Sequence, residues 1–174
     1  MTSLHSDLKV RPMAVADLDA VLRIQAACYT AIEPESRESL QAKLQAAPDT
    51  CFVAVADRQP VAYAIAVPVA FPELPVLDQP HCDPPPHADA LYLHDVAVSP
   101  TLRGSGAAGA LVRRVMDAAR HGQWRQMCLI AIQGSSSYWA RHGFREVAPR
   151  EMAAKLASYG ADARLMWRGA EAGA

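Results

Sequence analysis

Residues 103–109 read RGSGAAG, an arginine and three glycines placed just ahead of an apolar run with helical period. Glycine carries no side chain to obstruct an approaching anion. A helix N-terminus adds unsatisfied N–H groups and about half a positive charge. The stretch therefore reads as a phosphate cradle, in one of two frames. Gly104-x-Gly106-x-x-Gly109 has the spacing of a dinucleotide fingerprint. Arg103-x-x-Gly106-x-Ala108 is a different pattern, in which the arginine contributes a cation with bidentate reach.

The first frame fails on its surroundings. A dinucleotide fold sets its glycines close after the first strand and wants a carboxylate about twenty positions later, at the end of the next strand. Here SPTLR separates the strand from Gly104, and the following strand ends in Ile132 and Gln133. Too few residues follow Gly109 to complete a doubly wound sheet. A triphosphate loop fails too, since no Gly-Lys-Ser/Thr follows.

Two other groups have types suited to chemistry. His94 lies in ALYLHDVAV (90–98), where strand alternation places it with Tyr92, Val96 and Val98 and turns Asp95 to the opposite face. Histidine is suited to taking a proton near neutrality, or to being a hydrogen-bonded member of the sheet, and the residue type alone leaves both open. His81, Cys82 and His87 are metal-ligand types, but no clear fourth ligand lies nearby, and no metal is expected.

These residues need elements to hold them. LKVRPM (8–13) reads as a first strand. An amphipathic helix follows, opened by Asp17 and Asp19, with Leu18, Val21, Leu22, Ile24 and Cys28 on one face. A second helix over 35–46 carries Leu40 and Leu44 one turn apart. CFVAVA (51–56) and PVAYAIAVPV (60–69) predict two strands joined by a tight turn at DRQ. The stretch 71–89 holds Pro72, Pro75, Pro80 and Pro84 to Pro86, cannot continue a central strand, and reads as a long surface loop bordering a site. After the strand 90–98, SPTLRGSG leads into a helix over 107–121 with its apolar stripe at Ala108, Leu111, Val112, Val115 and Ala119. QMCLIAI (126–132) is another strand and SSYWARHG a short helix closing at Gly143. FREVA begins a further strand, and ARLMWR (163–168) is a last one. The Gly/Ala-rich tail after Arg168 reads as loose.

A chain of 174 residues, 51% hydrophobic, has the material for one globular domain, residues 1–174. Its net charge of −1 marks neither a nucleic-acid nor a membrane partner. Arg113, Arg114 and Arg120 cluster as a solvated helix face would. The N-terminus lacks the apolar core of a signal peptide, and VAYAIAVPVAF (61–71) is too short to span a bilayer and contains Pro68. Cys28, Cys51, Cys82 and Cys128 form no C-x-x-C pair and suit reduced thiols, so a cytoplasmic location is expected.

Taken together, LHDVAVSPTLRGSGAAGALV and SSYWARHGF resemble the GNAT superfamily of acetyl-CoA-dependent N-acetyltransferases, sharply over about residues 91–149. The resemblance implies an α/β (α+β) fold: a mixed, mostly antiparallel sheet of about six to seven strands, splayed in a V and flanked by about four helices. It implies acetyl-CoA as co-substrate. Arg103, Gly104, Ser105, Gly106, Ala107, Ala108 and Gly109 would then hold its pyrophosphate, and the backbone of Val96, Ala97 and Val98 its pantetheine arm. The thioester would lie between the strands 90–98 and 126–132.

An alkyl amine with pKa near 10.4 is neutral in less than about one part in a thousand at pH 7, an offset of roughly 4–5 kcal/mol, so a base is useful. By resemblance to arylalkylamine members of the superfamily, His94 is that base. Family members often supply an acid from a tyrosine four residues before the Gly-Phe pair. Here that position is Trp139, expected to pack against the thioester, the acceptor or the core, while Tyr138 is turned about 100° away toward the core. Acceptor recognition falls by resemblance on YTAIEPES (29–36), with Tyr29, Glu33 and Glu35 favouring a cationic amine. The expected partners are a small-molecule or peptide amine, in a monomer or homodimer. A module that keeps coenzyme A as ligand without turnover stays open, as does a longer acyl group.

Overall fold

The computed structural model describes residues 7–122 and 124–169. Of the sequence-based expectations, the tail beyond Gly169 and the first six residues lie outside the described residues.

Seven strands form one sheet in the order β1-β2-β3-β4-β5-β7-β6. They are β1 (Lys9–Pro12), β2 (Cys51–Ala56), β3 (Gln59–Val69), β4 (Ala90–Val98), β5 (Gln126–Ala131), β6 (Arg145–Glu146) and β7 (Arg164–Gly169). Every neighbouring pair is antiparallel except β4–β5. Five helices accompany them: α1 (Leu18–Cys28), α2 (Arg37–Ala46), α3 (Ala107–His121), α4 (Ser136–Ala140) and α5 (Ala153–Ser158). The expected mixed, mostly antiparallel sheet is present. One more helix flanks it than the sequence predicts, because the short run AAKLAS of α5 has no readable period. FREVA pairs through only two residues, Arg145 with Trp167 and Glu146 with Met166.

The apolar run in β3 reflects burial on both faces. Ala62, Ala64 and Ala66 lie under α3 with Leu111 and Val115, while Tyr63 and Ile65 face α1 and α2 with Val21, Leu40 and Leu44. Small alanines on one face let α3 lie close, and large residues on the other fill the gap to two helices. Beyond α2 the proline-rich segment covers this second face, packing Phe71, Leu74 and Cys82 against Val67, Tyr92 and Cys128.

The sheet opens at its one parallel pair. β4 and β5 are bonded only through Ala90–Tyr92 and Gln126–Cys128, after which the strands diverge. A β-bulge marks the divergence: Ala66 pairs with Leu93 and Ile65 with Asp95, so His94 is the extra residue on β4. Bulges bend and over-twist the strand that carries them, which here turns β4 away from β5.

Candidate active site

The bulge corrects the strand-alternation expectation for His94. Val96 pairs with Ala64 and Val98 with Ala62, which keeps both on the α3 face, whereas Asp95 and Ala97 fall on the α1 face with Ile65 and Tyr63. His94 instead reaches the loop between α1 and α2, its Nε2 lying 3.1 Å from Glu35 Oε2. The imidazole is almost wholly buried, and its Nδ1 has no hydrogen-bond partner among the described residues.

Glu35 is not the exposed loop acid that its sequence context implies. It is 7% exposed, just before Ser36, the residue that caps α2 by accepting a hydrogen bond from Ser39 N–H. Its backbone is held at both ends by Gln25, whose Nε2 donates to Glu35 O and whose Oε1 accepts from Glu35 N–H. Its carboxylate accepts from Lys43 Nζ at 3.2 Å and from the N–H of Asp78 at 3.2 Å. Lys43 is itself buried and donates to Ser39 Oγ at 2.8 Å. Burial alone raises a carboxyl pKa, but the adjacent His94, Lys43 and Asp78 N–H overcome it and hold Glu35 at about 2. A carboxylate thus stands ionised beside an imidazole.

Asp95 turns away from this pair. Tyr29 Oη donates to its Oδ1 and Tyr63 Oη to its Oδ2, each at 2.5 Å. Burial raises the Asp95 carboxyl above the usual range despite the pull of His94 and the two hydroxyls. Tyr29, expected at the acceptor, is therefore engaged with Asp95 and also donates to Val96 O at 3.3 Å.

His94 and Glu35 wall a cavity of about 300 Å³ in the opening of the sheet, with Val96 and Val98 on one side and Ile130 and Ile132 on the other. Trp139 and Tyr138 both line it. Trp139 also packs edge-on against Phe144, with ring centroids 5.8 Å apart. Tyr138 does not point into the core. It is half-buried between this cavity and the neighbouring cleft, which it lines as well, and its hydroxyl is buried with no partner. Burial raises its pKa, opposed by Arg141 and Arg113, so the phenol stays protonated at neutral pH.

The neighbouring cleft runs along residues 103–109 and shares Val98, Ala108 and Tyr138 with the cavity. Gly104 and Gly106 have φ of +80° and +86°, a left-handed backbone that favours glycine, and a Cβ at either would meet nothing within 4 Å. Gly106 is the N-cap of α3, and the N–H groups of Ala108 and Gly109 in its first turn have no intrahelical partner. Ser105 Oγ accepts from Ala107 N–H at 3.3 Å. Arg103 lines the cleft beside the Cys28 thiol, which donates to Val98 O at 3.1 Å.

Two residues that the sequence leaves unassigned, Arg141 and His142, line this cleft. Burial first, then Arg113, Arg141 and Arg168, lower the His142 pKa, leaving a neutral imidazole among cations. Arg113 is exposed, as a solvated helix face requires, with Nη1 3.3 Å from where a Gly109 Cβ would stand. The backbone from Leu93 to Val98 faces the gap without a β5 partner, as an edge able to pair with an extended arm. Ala97 contributes backbone alone, since its side chain is buried with Tyr63 and Ile65.

A sheet opened at one parallel pair, with a glycine turn into a helix at one end of the gap and a buried histidine–carboxylate pair at the other, has the form of the acetyltransferase class of fold. A family model described as Acetyltransferase (GNAT) family matches residues 18–144, and the chain belongs to that family. Among solved structures it is similar to Ard1 from Thermoplasma volcanium, at 16% identity and a TM-score of 0.73, covering 94% of this chain and 98% of that one. It is also similar to the ribosomal-protein-S18-alanine N-acetyltransferase from Escherichia coli (18% identity, TM-score 0.68, 95% and 96% covered). A third is the PaiA N-acetyltransferase from Thermoplasma acidophilum in complex with coenzyme A (13%, 0.67, 94% and 99%). At these identities the likeness is one of fold. No curated protein sequence matches the chain. Among the described residues no helix is long and apolar enough to cross a membrane.

Proposed function

We propose that the chain is an N-acetyltransferase that passes the acetyl group of acetyl-CoA to a primary amine by direct attack in a ternary complex. The observation that carries this reading is His94, a buried imidazole with one nitrogen at an ionised carboxylate and the other unpartnered, in the wall of the cavity that adjoins the glycine nest. The open space over Gly104 and Gly106 fits a diphosphate, held by the α3 N–H groups of Ala108 and Gly109 with Arg103, Arg113 and Arg141 nearby.

Acetyl-CoA supplies an activated acyl carbon and a thiolate leaving group. Glu35 orients His94, whose Nδ1 takes a proton from the amine, directly or through a water. The amine nitrogen bonds to the acyl carbon as the carbon–sulfur bond breaks. Tyr138 gives its hydroxyl proton to the departing sulfur, the acid role that Trp139 cannot fill, and regains one from solvent as His94 releases the proton it took. The S18-alanine acetyltransferase and the coenzyme A-bound PaiA enzyme support acyl transfer to an amine as the reaction type.

Calorimetric titration with acetyl-CoA, followed by thiol release with amines, tests the reading. Saturable binding and amine-dependent thiol release are expected. Absence of binding at millimolar acetyl-CoA overturns the reading, and binding without release makes the chain a coenzyme A-binding module.

A further inference from the structure

On the acceptor side of His94, the cavity is closed by a wall that the chain pins in place. The proline-rich segment between β3 and β4 is tied to three separate elements. Asp78 accepts from Ser36 N–H at 2.7 Å while its own N–H donates to Glu35, joining the segment to the start of α2. Lys155 of α5 donates to Leu74 O at 2.9 Å and Pro75 O at 2.7 Å. Asp89 accepts from Phe71 N–H at 2.9 Å and from Gln126 of β5 at 3.1 Å, closing the segment's base. Between the ties, Leu77 faces the cavity together with Ile32, Tyr92, Ile130 and Tyr159.

This end of the cavity is walled mainly by apolar side chains, with the buried Tyr159 hydroxyl among them, and its buried carboxylates and the Gln25 amide are held by neighbours. Asp95 is taken by two tyrosines, Glu35 by Lys43, Asp78 and His94, and Gln25 by the Glu35 backbone. Glu33 lines the cavity as an exposed residue, where solvent and salt weaken an ion pair with a ligand. The volume of about 300 Å³ is at the lower end for small-molecule sites of roughly 300–1,000 Å³, and the thioester must share it.

Resting on the acyl-transfer reading above, we infer that the acceptor is a compact primary monoamine with an apolar body, held by Leu77 and Tyr159, rather than a polyamine or a peptide amine. The buried carboxylates that a second ammonium would meet are already paired, which leaves it the exposed Glu33 alone, and a peptide backbone finds few groups to receive its polar atoms. Each would lose the solvation of those groups on entry.

The test compares three acceptors by thiol release with saturating acetyl-CoA: 2-phenylethylamine, spermidine and an alanine-headed tetrapeptide. We expect kcat/KM for 2-phenylethylamine to exceed that of either other acceptor by roughly tenfold or more, the scale set by a few buried methylenes. Leu77→Asp should raise KM for 2-phenylethylamine roughly tenfold and improve spermidine, with acetyl-CoA affinity unchanged, a swap that general unfolding cannot produce. Lys155→Met should raise KM for 2-phenylethylamine more than it lowers kcat, because the wall loses one of its ties. Preference for spermidine or the tetrapeptide in the wild type, or no swap in a folded Leu77→Asp, overturns the inference and leaves acyl transfer standing. Acetyl-CoA binding without thiol release from any of the three defeats the acyl-transfer reading and the inference with it.

Discussion

His94 works through what surrounds it. Its imidazole is pressed between a carboxylate and a cavity, and a buried neutral residue in its place has no means to accept a proton. His94→Ala is expected to lower kcat by about 10²–10⁴, the usual contribution of a positioned base, with acetyl-CoA affinity unchanged by calorimetry. An unaltered kcat would remove His94 from the reaction. Tyr138→Phe should cost less, since a thiolate of pKa about 8.5 leaves readily without help. At this scale the sequence was a partial guide. His94 was legible from its residue type and its place in a strand. Glu35 was legible as an acid in the right loop, but its burial was not, because the groups that make burial tolerable are Gln25, Lys43 and Asp78, each on a different segment. Lys43 gave one signal: it lies among Leu40 and Leu44, on the side of α2 that faces the core.

The elements that matter most are the turn into α3 and the bulge in β4. Gly106 caps α3 in a conformation that costs an L-residue about 1–2 kcal/mol, and the space where its Cβ would stand is open. Gly106→Val should therefore lower thermal stability modestly and weaken acetyl-CoA binding by roughly tenfold or more, about 1.4 kcal/mol for each factor of ten. Unchanged affinity in a folded variant would place the diphosphate elsewhere. The turn was readable because both its requirements, glycine and a following helix, are local. The bulge was not. Nothing in LHDVAV distinguishes a regular strand from one with an extra residue; the offset arises from pairing with β3. The orientation of Tyr138 failed for a similar reason: α4 is only five residues long, and its angle follows from the packing of Trp139 and Phe144.

Across the whole molecule, Glu35 and Lys43 form a buried ion pair that links stability to acidity. The folded carboxyl lies at about 2 against an ordinary 4.5, so its contribution is present above 4.5 and is lost as pH falls toward 2. Glu35→Gln leaves Lys43 as an uncompensated buried charge and should cost about 3–5 kcal/mol at neutral pH. The gap in melting temperature between wild type and variant should narrow as pH is lowered through that window. A gap that stays constant with pH would show that the pair does not contribute through its charges. Arg11 and Asp17, paired at 2.7 Å, titrate in the same direction but are common to both proteins and cancel in the comparison.

What the sequence determined by itself was everything carried by neighbours along the chain. Strand and helix periods, the glycine turn and the Gly143-Phe144 landmark were enough to place the family and the turn into α3. Local backbone preferences and side-chain spacing are written in consecutive residues. What tertiary structure decided was which distant groups share one low-dielectric pocket: the carboxylate behind His94, the hydroxyl between the two cavities, and Leu77 of the proline-rich segment in the cavity wall. Burial and pairing are properties of segments brought together, and no spacing within one segment encodes them.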